Sequence, residues 1–231
     1  LKKINNMKVE LVSKTEGIGK YKELSSEEII SAIARHGVIK EDNGKLVKYL
    51  MSNAHWSPLD MINFTFEIET SRDIGRQILR HQSIKFQEHS TRYSNRVQFE
   101  PIEIRKEDTV NRQSSTEIFN PLVDNTGLSS ELDIYADELI LDVLDTIELA
   151  YNKLINKGVA KECARKILPG CLTTTMSANG TLRSWLAFLN VRCDHHAEKE
   201  IQQIAQLIGE QLEKEMPNVF SQLDWRKGMF M

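Results

Sequence analysis

Ile62-Asn63-Phe64-Thr65-Phe66-Glu67-Ile68-Glu69-Thr70 alternates apolar and polar residues without a break, and a strand sends successive side chains to opposite faces. The segment reads as a half-buried antiparallel strand with Ile62, Phe64, Phe66 and Ile68 on its inner side. Ser71 or Asp73 then opens a helix in which Gln77, Arg80 and His81 stand at i, i+3 and i+4, so three polar side chains are expected on one face while Ile74 and Ile78 point elsewhere. Upstream, Ser25 and Glu28 have capping-box spacing, and the helix they start carries Ile29, Ile30, Ala32 and Ile33 before stopping near Gly37. A second short helix is expected from Lys45 to about Ser52. Downstream, residues 83–128 show little periodicity and are broken by Pro101, Pro121, Asn125 and Gly127, which indicates extended segments and a mobile loop.

From about Ser129 to Asn156, Leu132, Tyr135, Leu139, Val143, Ile147 and Ala150 recur at helical spacing, a pattern suited to core or subunit packing. A short helix from Ala160 to Ile167 has to end before Pro169, and the threonine-rich run from Cys171 to Met176 reads as a strand. Two helices follow, from Thr181 to about Cys193 and from Asp194 to about Glu215. The first carries Leu182, Trp185, Leu186 and Leu189 as an apolar stripe and leaves Arg183 and Asn190 on another side. No repeat, linker or low-complexity tract intervenes. The expected architecture is α+β, a single domain over residues 1–231 with a mostly antiparallel sheet and several helices.

At 231 residues and 40% hydrophobic, the chain can bury a proper core. A net charge of −3 argues against general nucleic-acid binding, so local arginine clusters point to a small anionic ligand. Cys163, Cys171 and Cys193 are odd in number and lack C-x-x-C pairing, which suits free thiols in a reducing cytosol. No run of eighteen apolar residues occurs and the first residues lack the apolar stretch of a signal peptide, so a soluble cytoplasmic protein is expected. Leu1 in place of Met points to a missing or replaced first residue.

Chemistry concentrates in Arg80-His81-Gln82-Ser83-Ile84-Lys85-Phe86-Gln87-Glu88-His89-Ser90-Thr91-Arg92-Tyr93. Two planar guanidinium forks suit a phosphate or an imide-like ring, and Glu88, Ser90 and two histidines can orient or exchange protons. The duller alternative is a solvated loop after a basic helix end.

The spacing Arg80-His81-Gln82, seven residues, Ser90, with Arg92-Tyr93 directly after, resembles the signature of the flavin-dependent thymidylate synthases, which reads Arg-His-Arg, seven residues, Ser. Gln77 stands three residues before Arg80, as in that family. His55-Trp56-Ser57-Pro58-Leu59-Asp60 resembles its His-x-Thr/Ser-Pro-x-Glu element. Arg165 before Leu168-Pro169, then Gly180-Thr181-Leu182-Arg183-Ser184-Trp185 and Phe188-Leu189-Asn190-Val191-Arg192, resemble its later site segments, so the likeness runs in order from about residue 50 to about residue 215.

The resemblance implies reductive methylation of dUMP to dTMP, with methylenetetrahydrofolate as carbon donor and NADPH-reduced FAD as hydride donor. It assigns Gln77, Arg80, Glu88, His89, Ser90, Thr91, Arg92, Arg165 and Arg192 to dUMP, with Arg192 as the catalytic group that ionises the pyrimidine at N3. It assigns His55, Ser57, Arg80, His81, Gln82, Glu88, Thr181, Arg183, Ala187 and His196 to FAD. It also implies a homotetramer with sites shared between subunits. Because hydride comes from flavin, no cysteine nucleophile is required, and Cys193 is expected to be a packing residue. Gln82, Thr181 and Ala187 depart from the family's usual arginine, asparagine, and asparagine or histidine. Lys85 adds a cation within the signature.

Gly180 and Thr181 begin a helix whose exposed amides suit a pyrophosphate. His196 and Glu200, read as i and i+4 on a helix, have half the spacing of a metal site, and with no second such pattern no metal is expected. Two alternatives remain open: a homologue that binds nucleotide or flavin with impaired catalysis, and a nucleic-acid module using Arg72, Arg76, Arg80, Arg92 and Arg96.

Overall fold

A computed structural model describes residues 7–41, 44–93, 97–111, 114–124 and 133–231. In chain order its elements are β1 (Lys8–Lys14), α1 (Ser26–Ala34), α2 (Lys45–Ser52), β2 (Asn63–Ser71), α3 (Arg72–Ile78), β3 (Lys85–Glu88), β4 (Arg105–Glu107) and β5 (Ser115–Ile118). There follow β6 (Leu122–Val123), β7 (Ile134–Tyr135), α4 (Ala136–Asn156), α5 (Lys161–Ala164), β8 (Thr173–Thr181), α6 (Leu182–Arg192), α7 (Lys199–Glu215) and α8 (Pro217–Phe220). The fold is α+β with a mostly antiparallel sheet, as the sequence indicates. The described residues group into two compact units. One holds Thr70–Asp73 and His89–Thr174; the other holds Met7–Glu69, Ile74–Glu88 and Thr175–Met231.

The larger unit is built around a four-stranded sheet of order β1-β2-β8-β3. Alternation along β2 buries Phe64, Phe66 and Ile68 completely. Its neighbour β8 runs antiparallel, since Leu182 N donates to Ile62 O and, three residues inward on each chain, Asn179 Nδ2 donates to Thr65 Oγ1. Against this sheet α6 lays Leu182, Trp185, Leu186 and Leu189, all fully buried. Trp185 packs edge-on to Phe66 with centroids 5.0 Å apart, and its indole N–H donates to Phe64 O at 3.1 Å, which satisfies the one polar atom the ring buries. α7 contributes Ile201, Ile204, Ala205, Ile208 and Leu212 to the same core. Gly209 is the place where α7 admits the Trp225 ring: a Cβ there would lie 2.1 Å from a ring carbon.

In α1, Ser25 and Glu28 form the expected reciprocal cap, and α2 has the expected bounds. β1 was not foreseen. It pairs antiparallel with β2, Val9 opposite Ile68 and Leu11 opposite Phe66, and Gln211 of α7 reaches its backbone on both sides, Nε2 to Val9 O and Oε1 from Leu11 N.

In the smaller unit, Phe99 bridges Leu172, flanked by bonds from Glu100 N to Cys171 O and Thr173 N to Gln98 O. β4 pairs with β5 and β6 with β7, all antiparallel. β4, β5 and β6 fall in the stretch read only as extended segments and a loop, whereas β7 takes Ile134 and Tyr135 out of the expected long helix, Tyr135 becoming its N-cap. The long helix begins at Ala136, and Ser129 and Leu132 of the expected start lie outside the described residues, as do Asn125, Gly127 and Arg96. Tyr151 is the one residue α4 buries, while Leu141, Val143 and Leu149 are 40%, 43% and 54% exposed.

Three further expectations need correction. α3 ends at Ile78, so Arg80 and His81 follow the helix rather than sharing its face; Arg80 N and His81 N close tight turns on Gln77 O and Ile78 O. The strand read from Cys171 to Met176 is Thr173–Thr181, because alternation continues through Ala178 and Gly180, both buried. α7 starts at Lys199, so His195 and His196 lie in the turn before it and His196 shares no helix with Glu200. Among the described residues no helix is long and apolar enough to cross a membrane.

Candidate active site

In the larger unit the end of α3 and the end of α6 meet through Arg192. Its Nε–H donates to His81 Nε2 at 2.9 Å and an Nη2–H donates to Gln77 O at 3.2 Å. That carbonyl is within reach because α3 stops, leaving it to accept only the long 3.4 Å bond from Arg80 N within its own segment. His81 lies edge-on to Phe188, centroids 4.8 Å apart. Burial, with Arg192 nearby, pushes the His81 pKa down to about 4. Burial also lowers that of Arg192, and Arg80 adds repulsion. Arg80 is exposed, and its guanidinium makes no hydrogen bond or ion pair among the described residues. Two guanidinium groups that feel one another, neither met by a carboxylate among the described residues, are arranged to receive an anion.

Gln77 spends its side chain elsewhere, donating from Nε2 to Glu198 at 2.5 Å. Glu88 ends β3 opposite Met176 and is half-buried. Gln82 is exposed, and so are His55, whose ring stands edge-on to Tyr49, and Ser57. The last residue of that segment, Asp60, accepts from Thr181 Oγ1 at 2.9 Å and from Arg183 Nη1 at 3.2 Å. Thr181 in turn caps α6 by accepting from Ser184 N. Two first-turn amides, those of Leu182 and Ser184, are thus already engaged, and a carboxylate stands beside them. The start of α6 is not the open anion site that its sequence suggests. Ala187 is exposed on α6.

His196 is oriented by Asp194, which is 6% exposed and whose Oδ1 accepts from His196 N at 2.8 Å and lies 2.7 Å from His196 Nδ1. The His196 amide holds the Asp194 carboxyl below the usual range, against burial. An ionised carboxylate only accepts, so Nδ1 carries the proton and Nε2 is left outward. Asp194, His195 and His196 bring potential ligand atoms within 4.8 Å of one another, but one Asp194 oxygen is already committed to His196.

The smaller unit holds the other candidates. His89 is exposed; Ser90 Oγ accepts from Arg92 N at 3.3 Å and Ser90 O from Tyr93 N, forming a turn. Thr91 Oγ1 accepts from Arg165 Nη1 at 3.3 Å, which ties the half-buried Arg165 to the signature segment. Arg92 is exposed and stands 3.9 Å from Glu162, an ion pair of little energetic weight.

Sequence reasoning missed Asp60, Asp194 and Glu198 as partners of candidate residues. Asp194 had a local signal, an Asx residue two positions before the amide it accepts from. Asp60 lay inside a quoted motif. Glu198 had no signal, because its partner is 121 residues away. All three cysteines are free thiols; burial pushes the Cys193 thiol up to about 12, with Arg226 opposing, and raises that of Cys171.

A paired-arginine centre on an antiparallel α+β scaffold, following the ordered motifs, defines a class. The family described as thymidylate synthase complementing protein matches residues 11–218, and the chain belongs to that family, the flavin-dependent thymidylate synthases. Among its relatives, the flavin-dependent thymidylate synthase of Synechocystis sp. is 35% identical over 205 residues, covering 87% of this chain and 91% of the relative. The probable flavin-dependent thymidylate synthase of Paramecium bursaria Chlorella virus 1 is 35% identical over 208 residues, covering 87% and 92%. That of Kosmotoga olearia is 35% identical over 179 residues, covering 77% and 74%.

Proposed function

We infer that this protein is a thymidylate synthase that methylates dUMP at C5 with methylenetetrahydrofolate as carbon donor. FAD, reduced by NADPH, is the hydride source when bound. The observation that carries the reading is the Arg80–Arg192 pair, two cations without a carboxylate partner among the described residues, one of them fixed by neutral acceptors.

Arg192 is proposed as the catalytic group. A guanidinium cannot lose its proton at neutral pH, so it stabilises negative charge on the pyrimidine and makes C5 a better nucleophile without an enzyme adduct. Its Nε–H and one Nη2–H are engaged internally, and the remaining donors are available to the ring. Arg80, Gln77 and Glu88, and separately Arg92, Arg165 and the turn at His89, Ser90 and Thr91, are proposed as nucleotide-binding residues. For FAD, the donor set of His55, Ser57, Gln82, Arg183 and His196 fits an anionic dinucleotide bearing an imide edge. The reading gives the remaining flavin contacts to Arg80, His81, Glu88, Thr181 and Ala187. Arg183 would share its charge between that ligand and Asp60.

The same reading takes residues 1–231 as one domain, supported by a family match that draws on both units. It takes the assembly as a homotetramer with sites shared between subunits, supported by the apolar residues α4 leaves exposed. It places the protein in the cytoplasm. The test is incubation with FAD, NADPH, methylenetetrahydrofolate and dUMP tritiated at C5. Tritium release with dTMP formation is expected, and its loss in Arg192→Ala with FAD still bound. Absence of both products from folded, FAD-loaded protein refutes the activity; wild-type turnover in Arg192→Ala refutes the assignment.

A further inference from the structure

His81 meets Arg192 in an unusual way. A guanidinium Nε–H needs an acceptor, and a buried one is ordinarily given a carboxylate. Here the acceptor is imidazole Nε2, at 2.9 Å. An imidazolium has two N–H donors and no lone pair to offer, so this contact requires the neutral ring with its proton on Nδ1. The second acceptor, Gln77 O, is also uncharged. Phe188 meets the imidazole edge-on and restrains its tilt. Of the charged groups around this cluster, Arg80 is cationic like Arg192, and the Glu198 carboxylate is engaged by the Gln77 side-chain amide rather than by the guanidinium.

We propose that His81 is a positioning residue for Arg192: its neutral imidazole accepts the guanidinium Nε–H and fixes the plane of the fork without supplying a negative charge. The point of the arrangement is what it withholds. A carboxylate in the same place would orient the fork equally well but would neutralise it, and an anionic pyrimidine would then meet a closed ion pair. Two neutral acceptors leave the whole positive charge for the ligand. His81 is thereby moved from the flavin wall, where the family resemblance puts it, to the support of the pyrimidine-facing arginine. The inference rests on the proposed reaction for its purpose and on the contact alone for its geometry.

Three variants separate orientation from charge. His81→Gln offers a neutral acceptor at the position of Nε2, His81→Leu offers none, and His81→Glu offers an acceptor that is charged. In wild-type protein without ligands, nitrogen-15 NMR of labelled histidine and arginine should show His81 protonated at Nδ1 and bare at Nε2. The Arg192 Nε–H should be slow to exchange, a protection lost in His81→Leu. In the tritium-release assay His81→Leu should lose about 10- to 100-fold in kcat, the scale of a lost charge-assisted hydrogen bond or a misplaced group. His81→Gln should recover most of that loss. His81→Glu should keep the protected Arg192 Nε–H yet fail to recover turnover, and should bind dUMP more weakly by calorimetry.

A wild-type ring protonated at Nε2 overturns the proposal whether or not any variant folds. So does a His81→Glu enzyme as active as His81→Gln, or a His81→Leu enzyme as active as wild type. Wild-type protein that releases no tritium and binds no dUMP overturns the functional reading instead, and the His81 tautomer and the Arg192 signal then decide the positioning separately.

Discussion

Acid should destabilise this protein through His81 in a way that can be isolated. Burial first, and the Arg192 cation second, hold its pKa at about 4 against an ordinary 6.5. As pH falls through 6.5 the unfolded chain takes up a proton that the folded chain refuses. The contribution of neutral His81 is therefore complete above about pH 6.5, is lost progressively between 6.5 and about 4, and changes no further below that. At about 1.4 kcal/mol per tenfold the whole interval corresponds to about 3 kcal/mol. His81 is only half-buried, so solvent screening reduces this to about 1–2 kcal/mol. Urea unfolding of wild type and His81→Gln at about pH 7.5 and about pH 4.5 measures it, because every other titrating group contributes equally to both proteins. The wild-type advantage should shrink by about 1–2 kcal/mol at the lower pH. A difference between the two proteins that is the same at both pH values would refute the reasoning.

Gly209→Ala should cost about 1–3 kcal/mol, despite the better helix propensity of alanine, because the new Cβ would sit 2.1 Å from the fully enclosed Trp225 ring. Thermal unfolding with Trp fluorescence decides it, and an unchanged or higher Tm counts against the packing described. Asp60→Ala should lose about 1 kcal/mol in chemical unfolding by removing the acceptor that Thr181 Oγ1 and Arg183 share, and Asp60→Asn should regain part of that; equal stability of all three proteins would mean the tie is idle. Replacing Cys163, Cys171 and Cys193 by Ala should leave tritium release intact in folded protein, since the Cys193 thiol, at about 12, is not ionised near neutrality. Mass spectrometry finding a nucleotide attached to Cys193 would reverse that conclusion.

What could be read from the sequence was what short-range physics controls. Strict alternation located β2, a capping box located α1, and a helical stripe located the buried side of α6, because each signal lies within a few residues. β1 was missed because its register depends on Phe66 and Ile68 far along the chain, and Val9 and Leu11 alone make too short a pattern. The end of α3 was overrun because Arg80 and His81 fit helical spacing; that the helix stops, and that Arg192 then bonds the Gln77 carbonyl it leaves open, involves a residue 115 positions away. In the site, residue identities came from motif spacing, whereas their pairing did not. Nothing local in Arg80-His81-Gln82 says that the histidine accepts from an arginine 111 residues later. Nor does Gly180-Thr181 disclose that Asp60 and Ile62 O already occupy that helix start.

The Gln77–Glu198 contact has an effect on affinity. One of the two Gln77 amide N–H donors is held by Glu198, so a ligand that needs that donor has to displace a carboxylate already in place. Hydrogen bonds to charged groups are worth about 1.5–3 kcal/mol, less where water reaches them. As a proposed nucleotide contact, Gln77 would then compete with its own internal partner. For such a ligand the apparent dissociation constant is the intrinsic one divided by the fraction of molecules in which Glu198 has released that N–H. Glu198→Ala would remove that internal competitor, so a tighter ligand and a looser entry to α7 would arrive together as two results of one substitution.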